Sequence, residues 1–343
     1  MVRIAHLVPS AQIGGAEALV ESLVEESREH GISPMTLVHL HRSDSDLRRS
    51  RFSIIADLRS RLAREEFDVL FAHSIFPAMY ARFSTPRPVC IVLHSAGDDY
   101  THWKFRIIER LLATRTSGVV GVSAAQLARF MRRFPRHPRP TVIPNGVSNS
   151  LPTKQEYRDA PQDIFTVGRF ATQKNPELWS KICAGLKGRF CFSWIGPLPE
   201  EGSLQVVATR SMEDGAKLLG PSNDVGYDLM AADLLLHTSH REAHSVVLLE
   251  AAAVGVPIVC PSNIAPEIAG VCLAAATFEA DSSSSAIHAI QSVGESYGEA
   301  VAHARVVQNL VRETHSLSVT FRSYCTLAAD IVGSEIEGSG VDE

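Results

Sequence analysis

The chain has 343 residues, 45% of them hydrophobic and 21% charged, with a net charge of −5. This length exceeds the roughly 100–200 residues usual for one domain and predicts two. No run of about 18 apolar residues is present to span a bilayer, residues 1–9 are too short and too soon broken for a signal peptide, and the six scattered cysteines lack the Cys-x-x-Cys spacing of a zinc or redox site. The expectation is a cytoplasmic protein with reduced thiols.

The charge is uneven. Residues 1–145 carry 20 Lys+Arg against 14 Asp+Glu, and the remainder 13 against 24, so the first part is +6 and the second −11. A basic half attracts an anionic substrate or membrane surface, although an Arg-rich composition alone accounts for it equally well. No nucleic-acid partner is expected.

Arg3 to Val8 reads as a short buried strand, followed by a loop containing Gly14 and Gly15 and a helix from Ala16 to about Glu29, with Leu19, Val20, Leu23 and Val24 on one face. Apolar runs at Met35–Leu40, Asp68–Ala72, Val89–Leu93, Gly118–Val122 and Thr141–Ile143 are separated by helix-length stretches, the rhythm of a parallel sheet. Pro144-Asn145-Gly146 then forms a turn, and residues 148–162 read as a linker. The rhythm restarts at Ile164–Val167, Cys191–Ile195, Lys217–Leu219, Leu234–Thr238, Ile258–Cys260 and Val271–Leu273. The predicted organisation is an α/β domain over 1–147, a linker over 148–162, a second α/β domain over 163–315, a helix over 316–332 crossing back to the first domain, and a disordered acidic tail over 333–343.

Ligands of open parallel sheets bind at the carboxyl ends of the strands. Gly14 and Gly15, lacking Cβ, let the backbone approach a phosphate while the next helix aims its amino terminus at it; a tight strand-to-helix turn explains them as well. In the second domain Arg169 ends the first strand and Lys174 follows five residues later, two cations able to pair with the phosphates of a nucleotide diphosphate, or simply solvated. Glu242 precedes a helix for which Ser245 is a plausible N-cap and Gly255 a stop, and Glu250 lies inside that helix. Carboxylates so placed do not face each other across a bond, as a glycosidase pair must. They suit binding vicinal diols, with the helix terminus between them adding backbone donors; alternatively Glu250 pairs with a nearby cation.

Glu242 and Glu250 are similar to the E-x7-E motif of retaining GT-B glycosyltransferases, and the chain resembles glycosyltransferase family 4 over nearly its whole length. The resemblance is carried by Gly14-Gly15-Ala16-Glu17, Ile143-Pro144-Asn145-Gly146-Val147, Gly168-Arg169 with Lys174, Gly196-Pro197, and Asp233 to Ser239 leading into the Glu pair. It implies the GT-B fold, two Rossmann-like α/β domains facing each other across a cleft. It also implies retaining transfer of a sugar from a nucleotide diphosphate, with uracil the expected base, to a hydroxyl. On this resemblance Gly14 and Gly15 meet the donor diphosphate, Arg169 and Lys174 bind its phosphates, Glu242 holds the sugar and Glu250 the ribose. Gly196, Ala243, His244, Ser245 and Val246 complete the donor site, and Asp224 lies where the base should be. Ala243 stands where many family members have glycine. His94 matches the active-site histidine near the reacting sugar, although a strand-end histidine also serves as a polar rim residue.

His73, Tyr100 and Trp103 are acceptor-side candidates. The acceptor is a small molecule or a lipid-linked one. The basic amphipathic stretches Phe105–Arg115 and Leu127–Arg139 either rest on the inner face of the membrane or pack on the core, the core being favoured. Asp98-Asp99 is an adjacent pair rather than a D-x-D motif, so no essential metal and no cofactor beyond the nucleotide sugar are expected. A nucleotide-sugar epimerase of the same fold and a noncatalytic partner subunit stay open as alternatives; a nicotinamide dehydrogenase is disfavoured by the spacing of the first glycines.

Overall fold

The computed structural model describes residues 1–10, 15–31, 33–41, 50–95 and 102–333. Contacts divide the chain into two compact units, one of residues 1–146 with 317–343 and the other of residues 147–316.

The first unit runs β1 (Ile4–Ser10), α1 (Gly15–His30), β2 (Met35–His41), α2 (Arg51–Leu62), β3 (Val69–His73), α3 (Ile75–Ser84), β4 (Val89–Leu93), α4 (Trp103–Leu112), β5 (Gly118–Gly121), α5 (Ala124–Arg133) and β6 (Pro140–Val142). Its six strands are all parallel in the order β2-β1-β3-β4-β5-β6. Strands such as Val69–His73 and Val89–Leu93 are buried at every residue because helices cover both faces, which is why they read as unbroken apolar runs.

The second unit continues with β7 (Asp163–Val167), α6 (Pro176–Gly185), β8 (Cys191–Ile195), α7 (Ser203–Glu213), β9 (Lys217–Gly220), α8 (Val225–Leu229), β10 (Leu234–Leu236), α9 (Val246–Val254), β11 (Ile258–Pro261), β12 (Glu267–Ile268), β13 (Val271–Cys272), β14 (Ala276–Phe278), α10 (Ser283–Glu295) and α11 (Tyr297–Thr314). The sheet order is β14-β11-β10-β7-β8-β9, with every neighbouring pair parallel. In both sheets the chain first builds to one side of its opening strand and then to the other. The points of reversal fall between β1 and β3 and between β7 and β10, where a crevice opens beyond the strand ends.

One strand differs from expectation. Val271–Leu273 does not join the main sheet; β13 pairs antiparallel with β12 in a small hairpin, and the sixth strand is β14. The two-residue turn Ala269-Gly270 has positive φ at both positions, 51° and 79°, the geometry that folds two strands tightly back on each other. Residues 148–162 run over the second unit instead of hanging free. Lys154 Nζ donates to the carbonyls of Met230 and Ala232 at 3.0 and 2.6 Å, and the Tyr157 hydroxyl donates to the Gly255 carbonyl at 2.8 Å. The last helix, α12 (Leu317–Val332), buries Phe321, Tyr324 and Ala328 against the first unit, where Thr320 Oγ1 donates to the Pro144 carbonyl at 3.1 Å.

The two amphipathic stretches behave differently. On α5, Leu127 and Phe130 turn inward, as does Phe134 just beyond it. On α4, Leu112 is buried and Phe105 and Ile108 pack on the core, but Trp103, Ile107 and Leu111 form an outward stripe, exposed by 59%, 45% and 71%. The expectation that both stripes face the core therefore holds for α5 and only partly for α4, where apolar residues exceed what one face can bury. Among the described residues no helix is long and apolar enough to cross a membrane, and none of the six cysteines is paired.

Candidate functional site

In the second unit the crevice is shaped by two glycines. Gly168, just after β7, has φ 146°, and Gly196, just after β8, has φ 139°. A Cβ on Gly196 would lie 2.1 Å from the Gly168 carbonyl oxygen, so only glycine permits these strand ends to approach as they do. Trp194 Nε1 donates to that same oxygen at 2.7 Å.

Arg169 follows with an exposed side chain and, among the described residues, no ion-pair or hydrogen-bond partner. The chain makes one tight turn over Thr172–Lys174 and starts α6 at Asn175, a left-handed N-cap (φ 53°) whose Oδ1 accepts from the Leu178 amide. Pro176 follows in the first helical turn, where its missing N–H costs nothing. This geometry carries the Lys174 stem across Gly168, and its Nζ meets Glu242 Oε1 at 2.7 Å. His237 Nε2, buried just past β10, lies 3.3 Å from the same oxygen without hydrogen-bond alignment. Burial pushes the Glu242 carboxyl up, but His237 and Lys174 outweigh it and hold the group at about 2. Glu242 is thus ionised at neutral pH. Thr238 Oγ1 donates to the Lys174 carbonyl at 2.7 Å and the His240 amide to the Gln173 carbonyl at 3.0 Å, stitching the two loops together.

The other wall is α9. Ser245 is its N-cap, buried, and its side chain makes no capping hydrogen bond, so the first-turn amides, beginning at Val246, have no intrahelical acceptor and no side-chain cap. Gly255 ends the helix at φ 96°, where a Cβ would meet Gln308 and Tyr157 at 2.8 Å. Glu250 takes no ion pair or hydrogen bond in the described residues, so the alternative of a structural pair with a cation is not realised. Burial, with the Asp224 charge adding to it, pushes its carboxyl up to about 7. Asp224 Oδ1 itself accepts from the Tyr227 amide at 2.9 Å and caps α8. Ala243 and His244 lie half-buried in the loop before α9, and the His244 ring stacks on His315 with centroids 5.5 Å apart.

In the first unit Gly14 and Tyr100 lie outside the described residues, as does Asp98-Asp99. Gly15 opens α1, and a Cβ there would meet nothing within 4 Å among the described residues, so their packing does not require glycine at this position. His73, the last residue of β3, is fully buried and its Nδ1 stands 2.7 Å from His94 Nε2. His73 Nε2 in turn stands 2.8 Å from His6 Nδ1. Ser74, immediately after, is a non-glycine residue at φ 80°, a strained conformation of the kind that accumulates at functional sites. Trp103 starts α4 with Lys104 Nζ 5.7 Å from its ring.

Lys174, Glu242 and Glu250 stand out in the sequence, whereas His237 and Thr238 do not, although both lie in the run Asp233 to Ser239. His6 stands out no more strongly. A histidine inside the otherwise apolar run Ile4–Val8 was the available signal. Among the described residues, no three His, Cys, Asp or Glu side chains are grouped to hold a metal ion.

Comparison with known proteins agrees with this architecture. Residues 13–151 match the family model described as Glycosyltransferase Family 4, and residues 161–294 match that of Glycosyl transferases group 1. No curated protein is matched at the level of sequence. Among solved structures, Anabaena HepE in complex with UDP-glucose superposes with a TM-score of 0.80 at 16% identity, covering 96% of this chain and 100% of that one. Sucrose-phosphate synthase from Thermosynechococcus elongatus gives 0.77 at 15% identity, covering 97% and 100%. A glycosyltransferase from Rickettsia africae gives 0.75 at 14%, again covering 97% and 100%.

Proposed function

The chain is a family-4-like glycosyltransferase with the GT-B fold, and we propose that it moves the sugar of a UDP-sugar to an acceptor hydroxyl with retention at the anomeric carbon. The observation that carries this reading is the contact of Lys174 with an ionised Glu242 at 2.7 Å, in the same unit as Arg169, which has no partner among the described residues, and an α9 terminus without a side-chain cap. Arg169 and Lys174 offset the charge of the departing diphosphate, and the α9 amides add donors to it. Glu242 accepts hydrogen bonds from the sugar hydroxyls. Glu250, poised at about 7, both accepts from and donates to the ribose diol. His94 contacts the transferred sugar. No protein nucleophile is invoked; the departing phosphate takes the acceptor proton, and the chain supplies positioning and charge. The cations already present do the charge work, so activity should persist in a chelator. The choice of uracil is supported by HepE, whose structures hold UDP and UDP-glucose.

On the acceptor side, the outward stripe Trp103, Ile107 and Leu111 is flanked by exposed Lys104 and Arg110, a pattern suited to resting on an anionic membrane and collecting a lipid-linked acceptor from the cytoplasmic face. Sedimentation with phosphatidylglycerol vesicles tests this; equal recovery of wild type and Ile107→Glu with the vesicles would refute it.

The donor reading is tested by thermal shift of wild type and Glu250→Ala against UDP, GDP, ADP and their glucose conjugates. A ligand at 100 times its Kd adds about 2.7 kcal/mol to stability. The expected result is stabilisation of the wild type by UDP compounds and a much smaller shift in the variant. Absence of any shift in the wild type would favour a noncatalytic partner subunit instead.

A further inference from the structure

Strands β1, β3 and β4 lie side by side, and each brings a histidine to the same line. His6 sits within β1, His73 ends β3, and His94 follows β4, so the rings climb from the core to the strand ends. The contacts are His6 Nδ1 to His73 Nε2 at 2.8 Å and His73 Nδ1 to His94 Nε2 at 2.7 Å, with successive ring centroids 5.1 and 5.0 Å apart. Phe71 stacks on His6 at 5.6 Å and Tyr324 meets it edge-on at 5.3 Å. Among the described residues no carboxylate partners any of the three rings. Burial holds all three neutral at physiological pH, His6 at about 3, His94 at about 4 and His73 well below its usual value.

A neutral imidazole has one N–H and one lone pair, so a row of three joined through both nitrogens of the middle ring can point only one of two ways. If His94 Nε2 donates inward, the last proton sits on His6 Nε2, a buried atom with no hydrogen-bond partner. If His6 Nδ1 donates outward, His73 Nδ1 donates to His94 Nε2, and only a lone pair is left unpaired inside. A buried N–H without an acceptor is the rarer orphan in folded proteins, which favours the outward direction.

We propose that His6 and His73 are positioning residues that fix the proton of His94 on Nδ1, so that His94 presents a hydrogen-bond donor, and not a base, to the sugar. The second half of this inference rests on the reading that His94 contacts the sugar; the first half does not. His94 Nδ1 has no partner among the described residues and is the nitrogen left for a ligand. A donor there suits a sugar hydroxyl, and it cannot take the acceptor's proton unless the whole row reverses.

The test is a long-range proton–nitrogen correlation spectrum of the full chain labelled with 15N-histidine at pH 7.5, without sugar nucleotide. The expected spectrum shows His94 as the Nδ1–H tautomer. His73→Leu removes the donor to Nε2 and should shift His94 toward Nε2–H, lowering UDP-glucose turnover about tenfold, the worth of one hydrogen bond, while the affinity for UDP is unchanged. His73→Asn, whose amide nitrogen takes the place of Nδ1, should restore both the tautomer and the turnover. An Nε2–H tautomer in the wild type, or a His94 tautomer unchanged in His73→Leu, would overturn the proposal. The wild-type spectrum decides even if His73→Leu does not fold. Should His94→Ala leave turnover intact, the sugar-contact reading fails while the tautomer assignment stands.

Discussion

The carboxyl edges of the two sheets are built on the same plan and carry opposite chemistry. Beyond β7 and β10 the second unit gathers ions, with Lys174 against Glu242 and Arg169 just after β7. Beyond β3 and β4 the first unit gathers neutral imidazoles joined ring to ring. The contrast is not a matter of what each unit tolerates in its interior. The first unit buries an ion pair of its own, Arg82 with Glu109 at 2.6 Å, joined by His137 at 2.8 Å, but it does so at the opposite edge of the sheet, beside Thr116 where β5 begins. Charge is therefore sorted by position within the fold. On the proposed reading the cations of the second unit meet the diphosphate, Glu242 accepts from the sugar hydroxyls, and the neutral imidazoles of the first unit add hydrogen bonds to the sugar without competing for phosphate.

Variants can separate these regions. The largest expected effect is structural. Burial pushes the Glu109 carboxyl up, but hydrogen bonds from Arg82 and His137 outweigh it and hold it at about 2, so Glu109→Ala leaves a buried guanidinium unpaired. Chemical denaturation should show a loss of about 3–5 kcal/mol, with UDP affinity unchanged in the folded fraction. Lys174→Ala should do the reverse, cutting kcat/KM for UDP-glucose about 100- to 1,000-fold while the protein stays folded. If both variants lost stability and affinity alike, the sorting described above would be wrong.

Much of this contrast was legible in the sequence, and the exceptions have physical causes. Eleven of the twelve expected strands belong to the two main sheets because fully buried strands between helices leave apolar runs bounded by turn residues. The twelfth, Val271–Leu273, had the same apolar character, and its hairpin depends on the Ala269-Gly270 turn, which the run itself does not reveal. Glu242 and Lys174 were legible as a motif, but their 2.7 Å contact joins residues 68 apart and needed the fold. His6 showed only as a histidine inside an otherwise apolar run. It sits in a strand whose neighbours are all core, and only the placement of β1 beside β3 gives it a chemical partner.

Acidity and alkali should tell the two edges apart. In the unfolded chain His6 titrates near its usual 6.5, while in the fold it stays neutral to about 3. Its contribution is present above pH 6.5 and is lost as pH falls toward 3, amounting to roughly 2 kcal/mol at pH 5. Thermal melts from pH 7 to 5 should show this decline, and His6→Phe should lessen it while His73 and His94 keep their own share. Glu250 runs the other way. With a folded value of about 7 against a usual 4.5, it costs stability as pH rises from 4.5 to 7. Glu250→Gln should therefore be more stable than wild type at pH 8 by about 1 kcal/mol, discounted for partial exposure, and equal to it near pH 4.5. Melts of the pair at both pH values check it, and a variant less stable at pH 8 would show that the carboxylate is partnered after all.

The division of labour between the edges is tested most directly by calorimetric titration of UDP, which carries the diphosphate but no sugar, into wild type, Lys174→Ala and His94→Ala. UDP should bind the wild type and His94→Ala equally and Lys174→Ala at least tenfold more weakly, while His94→Ala alone among the three binds UDP normally yet turns over UDP-glucose poorly. Unchanged UDP affinity in Lys174→Ala, or a loss of UDP binding in His94→Ala, would contradict it.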